Sequence, residues 1–232
     1  MAAGKSIFGR AIGFAAGLVS AGGGQAAVPP ANAPPADVTK QKEVVEAVVE
    51  AELRSLRLVV RDAGYAGHRN RILAERGAKP DDVIFATPFA KGLELILVAD
   101  EPTTSKPWML RDLSLYKVTQ DEIMALGRRQ VLAILPSVPP AEAVAGGVVM
   151  VPRMDYLASL MLADGWDELD AALGGNLLVA VPSDDVLIVA DARAADIGAK
   201  LPAFAKAKFD DASRSISPLI YRRLGGAWVA VD

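Results

Sequence analysis

Two apolar runs, Leu177–Val181 and Val186–Ala190, are joined by only Pro182-Ser183-Asp184-Asp185. Neither run alternates polar with apolar residues, so neither has the pattern of a strand with one wet face. Both have strand length and are rich in Val, Leu and Ile, and the residues between them favour turns, which predicts a β-hairpin. Strands that are apolar throughout must be covered on both faces. The hairpin therefore belongs in the middle of a sheet, and the rest of the chain has to supply its cover.

Helical patterns provide that cover. Val44, Val45, Val48, Val49, Leu53 and Leu56 recur at helical spacing against Lys42, Glu43, Glu46, Glu50 and Glu52, predicting an amphipathic helix over 39–57. Leu58-Val59-Val60 either prolongs it or begins a strand. Thr119-x-x-Glu122 is a capping box, opening a helix whose apolar stripe is Ile123, Leu126, Val131, Ile134 and Leu135 before Pro136 ends it. A third long helix covers 194–208, with Pro202 either bending it or separating a first turn. Shorter helices are expected at Asn70–Arg76 and Trp166–Leu173.

Further strands are expected at Asp82–Pro88, Leu93–Ala99, Gly147–Val151 and Ala158–Leu162, and Lys106–Val118 reads as loop with a short strand. Ile220–Leu224 and Ala227–Val231 flank Gly225-Gly226, a two-residue turn that needs positive φ. The fold class is α+β: a mainly antiparallel sheet of five or more strands covered by amphipathic helices, in one domain over 38–232. Leu95–Asp100 and Leu187–Asp191 share a tail, which generic strand composition ending at an acid explains without duplication.

The amino-terminal stretch has different chemistry. No acid precedes Asp37, Lys5 and Arg10 are the only charged side chains before it, and Ala11–Ala21 is uncharged. A basic start, a short apolar run and small residues at Val19-Ser20-Ala21 form a secretory-signal pattern, predicting a leader over 1–21 and periplasmic or secreted delivery. The alternative is an Ala/Gly-rich leader on a cytoplasmic protein. Residues 22–37 read as a Gly/Pro linker. The apolar run is too short to span a bilayer, so no transmembrane span is expected.

Composition excludes whole classes of chemistry. The chain has no cysteine and one histidine, so thiolate metal sites, Cys nucleophiles and two-histidine mechanisms are impossible within it. Its net charge is −3, and Arg128-Arg129 and Arg222-Arg223 are isolated basic pairs, so no phosphate-tracking surface and no nucleic-acid partner are expected. Trp108, Trp166 and Trp228 show no stacking-platform spacing.

Several segments resemble the YtpQ-like family of bacterial proteins, a domain of unknown function. The hairpin from Leu178 to Asp191 carries the resemblance most specifically. Tyr156 with Ala158-Ser159, and Ser215-Ile216-Ser217-Pro218-Leu219-Ile220-Tyr221 before the Trp228 strand, carry it more loosely, so that it covers roughly 80–232. A family aspartate falls on Leu157 and a basic position falls on Leu160. The resemblance implies a shared fold and supplies no activity, cofactor or site.

The remaining chemical candidates are acids. Asp100, Glu101, Asp184, Asp185 and Asp191 end predicted strands, and Asp100 with Asp191, ending matching runs, could share a sheet edge. Neighbouring carboxylates bind hard cations or divide acid and base roles. As isolated residues they are turn formers and strand stops. Ser114-x-x-Lys117 fits a Ser–Lys nucleophile pattern without its companion motifs, and His68 sits among arginines in a solvated segment. No cofactor or metal motif is present. The leading expectation is a non-catalytic binding or interaction domain with a protein or small-molecule partner. The alternatives are a hydrolase or cation-dependent enzyme using the strand-end carboxylates, and an exported envelope-associated structural protein.

Overall fold

The computed structural model describes residues 38–101 and 104–231, so the expected leader and linker lie outside the described residues. Helix α1 (Val38–Ser55) runs directly into β1 (Leu56–Asp62), followed by α2 (Tyr65–Glu75), β2 (Ala86–Ala90), β3 (Leu93–Glu101) and β4 (Thr104–Pro107). Next come α3 (Leu110–Tyr116), α4 (Gln120–Leu132), α5 (Ala141–Val144), β5 (Val148–Met150) and a 3-10 segment, Leu157–Leu162. The chain ends with α6 (Trp166–Ala172), β6 (Leu177–Ser183), β7 (Val186–Asp191), α7 (Ile197–Asp210), β8 (Ile220–Leu224) and β9 (Ala227–Val231).

The class is α+β, with every strand pairing antiparallel. The five-stranded sheet has the order β5-β7-β6-β8-β9, which puts the β6–β7 hairpin inside it with both strands buried along nearly their whole length. The non-alternating pattern required that placement. A second, four-stranded sheet is built around β3, with β1 along one edge and β2 and β4 pairing the other. The similar tails of β3 and β7 therefore mark the inner strands of two different sheets. Both strands are apolar because both are flanked and covered.

Capping and turn chemistry behave as read. The Thr119 hydroxyl accepts from the Glu122 amide at 3.2 Å and the Glu122 carboxylate accepts from the Thr119 amide at 3.0 Å, starting α4. Gly225 and Gly226 close the β8–β9 turn with φ of 56° and 78°. Lys106–Val118, expected as mostly loop, holds β4 and the two-turn α3, whose Asp112 carboxylate accepts from the Met109 amide at 2.8 Å. The cap there is an acid at the third helical position after a methionine, a weaker sequence signal than Thr-x-x-Glu.

Ala158–Leu162, expected as a strand, is instead the 3-10 segment, and every residue of it is buried. Burial on all sides erases the periodicity that separates strand from helix. Its backbone groups find partners outside any ladder. Leu160 and Met161 carbonyls accept from the indole N–H groups of Trp166 (2.8 Å) and Trp228 (3.0 Å), and the Leu162 carbonyl accepts from Arg128 (2.7 Å). The Ala158 amide donates to the Asp184 carbonyl at 3.1 Å, while the Ser159 hydroxyl accepts from the Val60 amide at 3.1 Å. One sheet is thus tied through Val60 and the other through Asp184 and Trp228. A single continuous apolar core includes residues of both sheets.

Helix α4 lies close on the first sheet at Gly127. A Cβ built there would clash with Leu97 Cδ1 and approach the Leu58 amide nitrogen to 3.0 Å. Gly127→Ala is therefore expected to lower stability by about 1–3 kcal/mol through overpacking, although alanine favours an isolated helix by about 1 kcal/mol. Urea denaturation checks this, and an unchanged or raised midpoint would contradict the close approach.

Candidate functional site

Where the two sheets meet, a buried carboxylate faces two guanidiniums. Strand β1 ends its apolar run at Arg61, and the β6–β7 turn brings Asp184 to it from the other sheet. Arg214, after α7, completes the group. The 214–217 stretch is tied to β6 and its turn by hydrogen bonds: Asp184 amide to Arg214 carbonyl (3.3 Å), Ile216 amide to Pro182 carbonyl (2.9 Å) and Ser217 amide to Val181 carbonyl (3.2 Å).

Asp184 is 1% exposed, yet neither carboxylate oxygen accepts a well-formed hydrogen bond. Arg214 Nη1 stands 3.1 Å from Oδ2 and Arg61 Nη2 stands 3.8 Å from it. Burial pushes the Asp184 carboxyl above its ordinary value of 3.8, against the pull of the two guanidiniums. Burial also lowers the Arg61 guanidinium, with Asp184 opposing that shift. A buried carboxylate without hydrogen bonds costs stability, so its retention points to a role beyond packing.

Tyr156 stands beside this group. Its φ is +62°, a left-handed conformation that is rare for a bulky residue. Its hydroxyl donates to Asp100 Oδ1 at 2.7 Å. Burial and the neighbouring Asp100 carboxylate push the phenol upward, while a hydrogen bond with Ser105 opposes them. Strained backbone persists where surrounding structure enforces it, and such positions concentrate at functional sites.

A cavity of about 370 Å³ opens here. Arg61, Asp62, Tyr65, Ser105, Ser213 and Arg214 supply its polar wall, and Val98 and Ile216 its apolar part. The walls come from β1, β3, β4, the start of α2 and the segment after α7. The volume falls within the range of small-ligand sites, as does the mixture of apolar surface with a few convergent polar groups.

The strand-end acids do not form the cluster expected of them. Asp100 and Asp191 lie in different sheets, at the ends of β3 and β7, and share no sheet edge. Asp100 is held by Tyr156, and Glu101 is exposed. Asp184 and Asp185 are neighbours only as turn residues. Asp185 takes the Ser183 hydroxyl and the Arg153 guanidinium, both at 2.7 Å, which hold its carboxyl below the usual range.

Asp191 is fully buried. It receives the Gly146 amide (2.9 Å), the Arg193 amide (3.0 Å) and the Arg193 guanidinium (2.7 Å), which hold it far below the usual range. Each acid is committed to its own partners because strand ends point where local loops take them. Among the described residues, no group of three or more acids or histidines is placed to hold a metal ion.

His68 is exposed on α2, its Nδ1 accepting from Arg71 at 2.9 Å. Ser114 and Lys117 are exposed at the end of α3, with Lys117 left-handed at its cap. Trp166 and Trp228, read as unrelated, meet edge to face at 5.4 Å and cap the 3-10 segment together. Arg61 and Arg214 were not singled out from sequence. They meet Asp184 across 123 and 30 residues of chain, and no local spacing encodes such an approach.

Comparison of the chain with protein-family models, curated proteins and solved structures finds no match. Among the described residues, no helix is long and apolar enough to cross a membrane.

Asp184 and Asp191 should give opposite pH signatures. A carboxyl whose folded pKa is raised binds its proton more tightly in the folded state. The stability of the parent protein relative to Asp184→Asn is thus expected to fall as pH rises from 3.8 through the raised folded value. For Asp191 the folded value is depressed, so the parent's advantage over Asp191→Asn is present above 3.8 and is lost as pH falls below it. Urea denaturation of the three proteins between pH 3 and 7 checks both signs, and slopes of the same sign would contradict the assignment.

Proposed function

We propose that this chain is a non-catalytic binding protein whose recognition site is the cavity walled by β1, β3, β4, the start of α2 and the segment after α7. The observation that carries the reading is Asp184, buried without hydrogen bonds and set against two arginines on the cavity wall. A group of this kind, buried behind arginines that line a concavity of ligand size, is what a preformed recognition site displays.

Kinship with the YtpQ-like family, and export after cleavage at Ala21, belong to the same proposal. The first rests on the sequence of the β6–β7 hairpin. The second rests on the acid-free start and the small residues before Gly22.

A small-molecule fragment screen by ligand-detected NMR tests the function. The expected result is a set of ligands whose binding is abolished by Ser213→Trp, which fills the cavity from an exposed position. Ligands unaffected by that substitution, or none at all, would overturn the reading. Mass spectrometry of the protein from its own cells is expected to give an amino terminus at or near Gly22, and an intact Met1 or Ala2 terminus would sink the export proposal.

A further inference from the structure

We propose that the cavity selects a small primary ammonium, held by the carboxylate of Asp62; this deepens the binding role proposed above and rests on it. Charge balance around the cavity sets the sign of its ligand. Arg214 spends its guanidinium on two acids, with Nη2 donating to Asp155 at 3.0 Å and Nη1 standing 3.1 Å from Asp184. Arg61 gives Nη1 to the Val60 carbonyl at 3.1 Å and faces the same Asp184 at 3.8 Å. These two cations are matched by Asp155 and Asp184. Asp62, on the same wall, is a carboxylate in excess. Further out the balance does not reverse. Arg69 stands over the Tyr65 ring at 5.7 Å, while Glu94 lies opposite Arg61 in the sheet register and Asp100 lies beside Tyr156.

Asp62 also differs from its neighbours in bonding. Asp100 accepts from the Tyr156 hydroxyl at 2.7 Å, Glu94 accepts from the Ala66 amide at 2.7 Å, and Asp155 and Asp184 face guanidiniums. The Asp62 carboxylate has no hydrogen bond and no ion pair among the described residues. It is partly buried at the end of β1, where the attraction between charges is stronger than in open water. An ammonium is compact and carries three donors and no acceptor. One N–H group meets Asp62 in a charge-assisted hydrogen bond. The hydroxyl oxygens of Ser105 and Ser213, on the same wall, are acceptors for the others. Val98, Ile216 and the Tyr65 ring offer apolar contact to the body of the ligand.

Benzylamine, benzyl alcohol and benzoate share one ring and differ in the charge of the head group. Each is titrated at neutral pH and followed by the amide shifts of β1 and residues 213–216. Benzylamine, protonated under these conditions, is expected to bind at least about tenfold more tightly than either of the others. Asp62→Asn keeps the side-chain shape and breaks no internal bond, and it should cut benzylamine affinity by about tenfold. Glu75→Gln removes an exposed acid that does not line the cavity and should leave benzylamine affinity unchanged. Benzyl alcohol or benzoate binding as tightly as benzylamine would overturn the proposal. So would an Asp62→Asn variant with parental benzylamine affinity, or an equal loss in Glu75→Gln. If none of the three probes binds while Ser213→Trp still abolishes fragment hits, the ammonium assignment fails and the binding reading stands. If no ligand of any kind needs the cavity, both fail.

Discussion

Irregular backbone buried in a protein must find partners for its amide and carbonyl groups, because each one left unpaired costs free energy comparable to a lost hydrogen bond. Residues 157–162 face that requirement without a strand ladder or a full helix to meet it. The answer shapes the molecule. Two indoles, one guanidinium and one turn carbonyl meet its backbone groups, and the Val60 amide donates to its own Ser159 hydroxyl, so partners arrive from both sheets and from α4 and α6. Trp166 and Trp228 are therefore donors as well as core volume, and their edge-to-face contact lets both indoles reach adjacent carbonyls. With the segment in place, the two sheets share one apolar cluster, while a second lies between the five-stranded sheet and α7. Leu157 and Leu160 within it are fully buried. A charge at either position would have to be paired or neutralised there.

The same segment builds the site. Its amino-terminal cap is Tyr156, forced left-handed with its hydroxyl on Asp100. Its Ala158 amide holds the carbonyl of Asp184, whose carboxylate then lies between Arg61 and Arg214. Replacing a buried ion pair by apolar residues is often neutral or stabilising, so the arrangement is weak as a stability device. Its cost makes sense where the cavity beside it needs guanidiniums fixed on its wall. The acids that are fully paired, Asp185 and Asp191, do not line the cavity and serve as turn and loop anchors.

Wherever local chemistry decides structure, the sequence was legible. The non-alternating Leu177–Ala190 hairpin demanded an interior position and took it. The Thr119–Glu122 box and the Gly225-Gly226 turn each depend on residues within a few positions, and both formed as read. What escaped were features set by distant contacts. Strand β1 directly continues α1, so its apolar residues read equally well as a prolonged helix or as the start of a strand. Leu157–Leu162 lost its periodicity to complete burial. The candidate site shows the same division more sharply: Asp184 was visible as a turn residue at a strand end, whereas the arginines that give it meaning approach from 123 residues before it and 30 after. Asp100 and Asp191 looked alike because their strands are alike, but similar strands in different sheets need not bring their ends together.

The central claim is that the 157–162 segment joins both sheets into one cooperative unit. Native-state hydrogen exchange reads this directly through the amides of β3 in one sheet, β7 in the other and Val60 between them. The account predicts that all three groups exchange with the same free energy, equal to that of global unfolding measured by denaturant. If either sheet exchanged at a free energy lower by more than about 2 kcal/mol while the other kept global protection, the sheets would be separate units and the account would be contradicted.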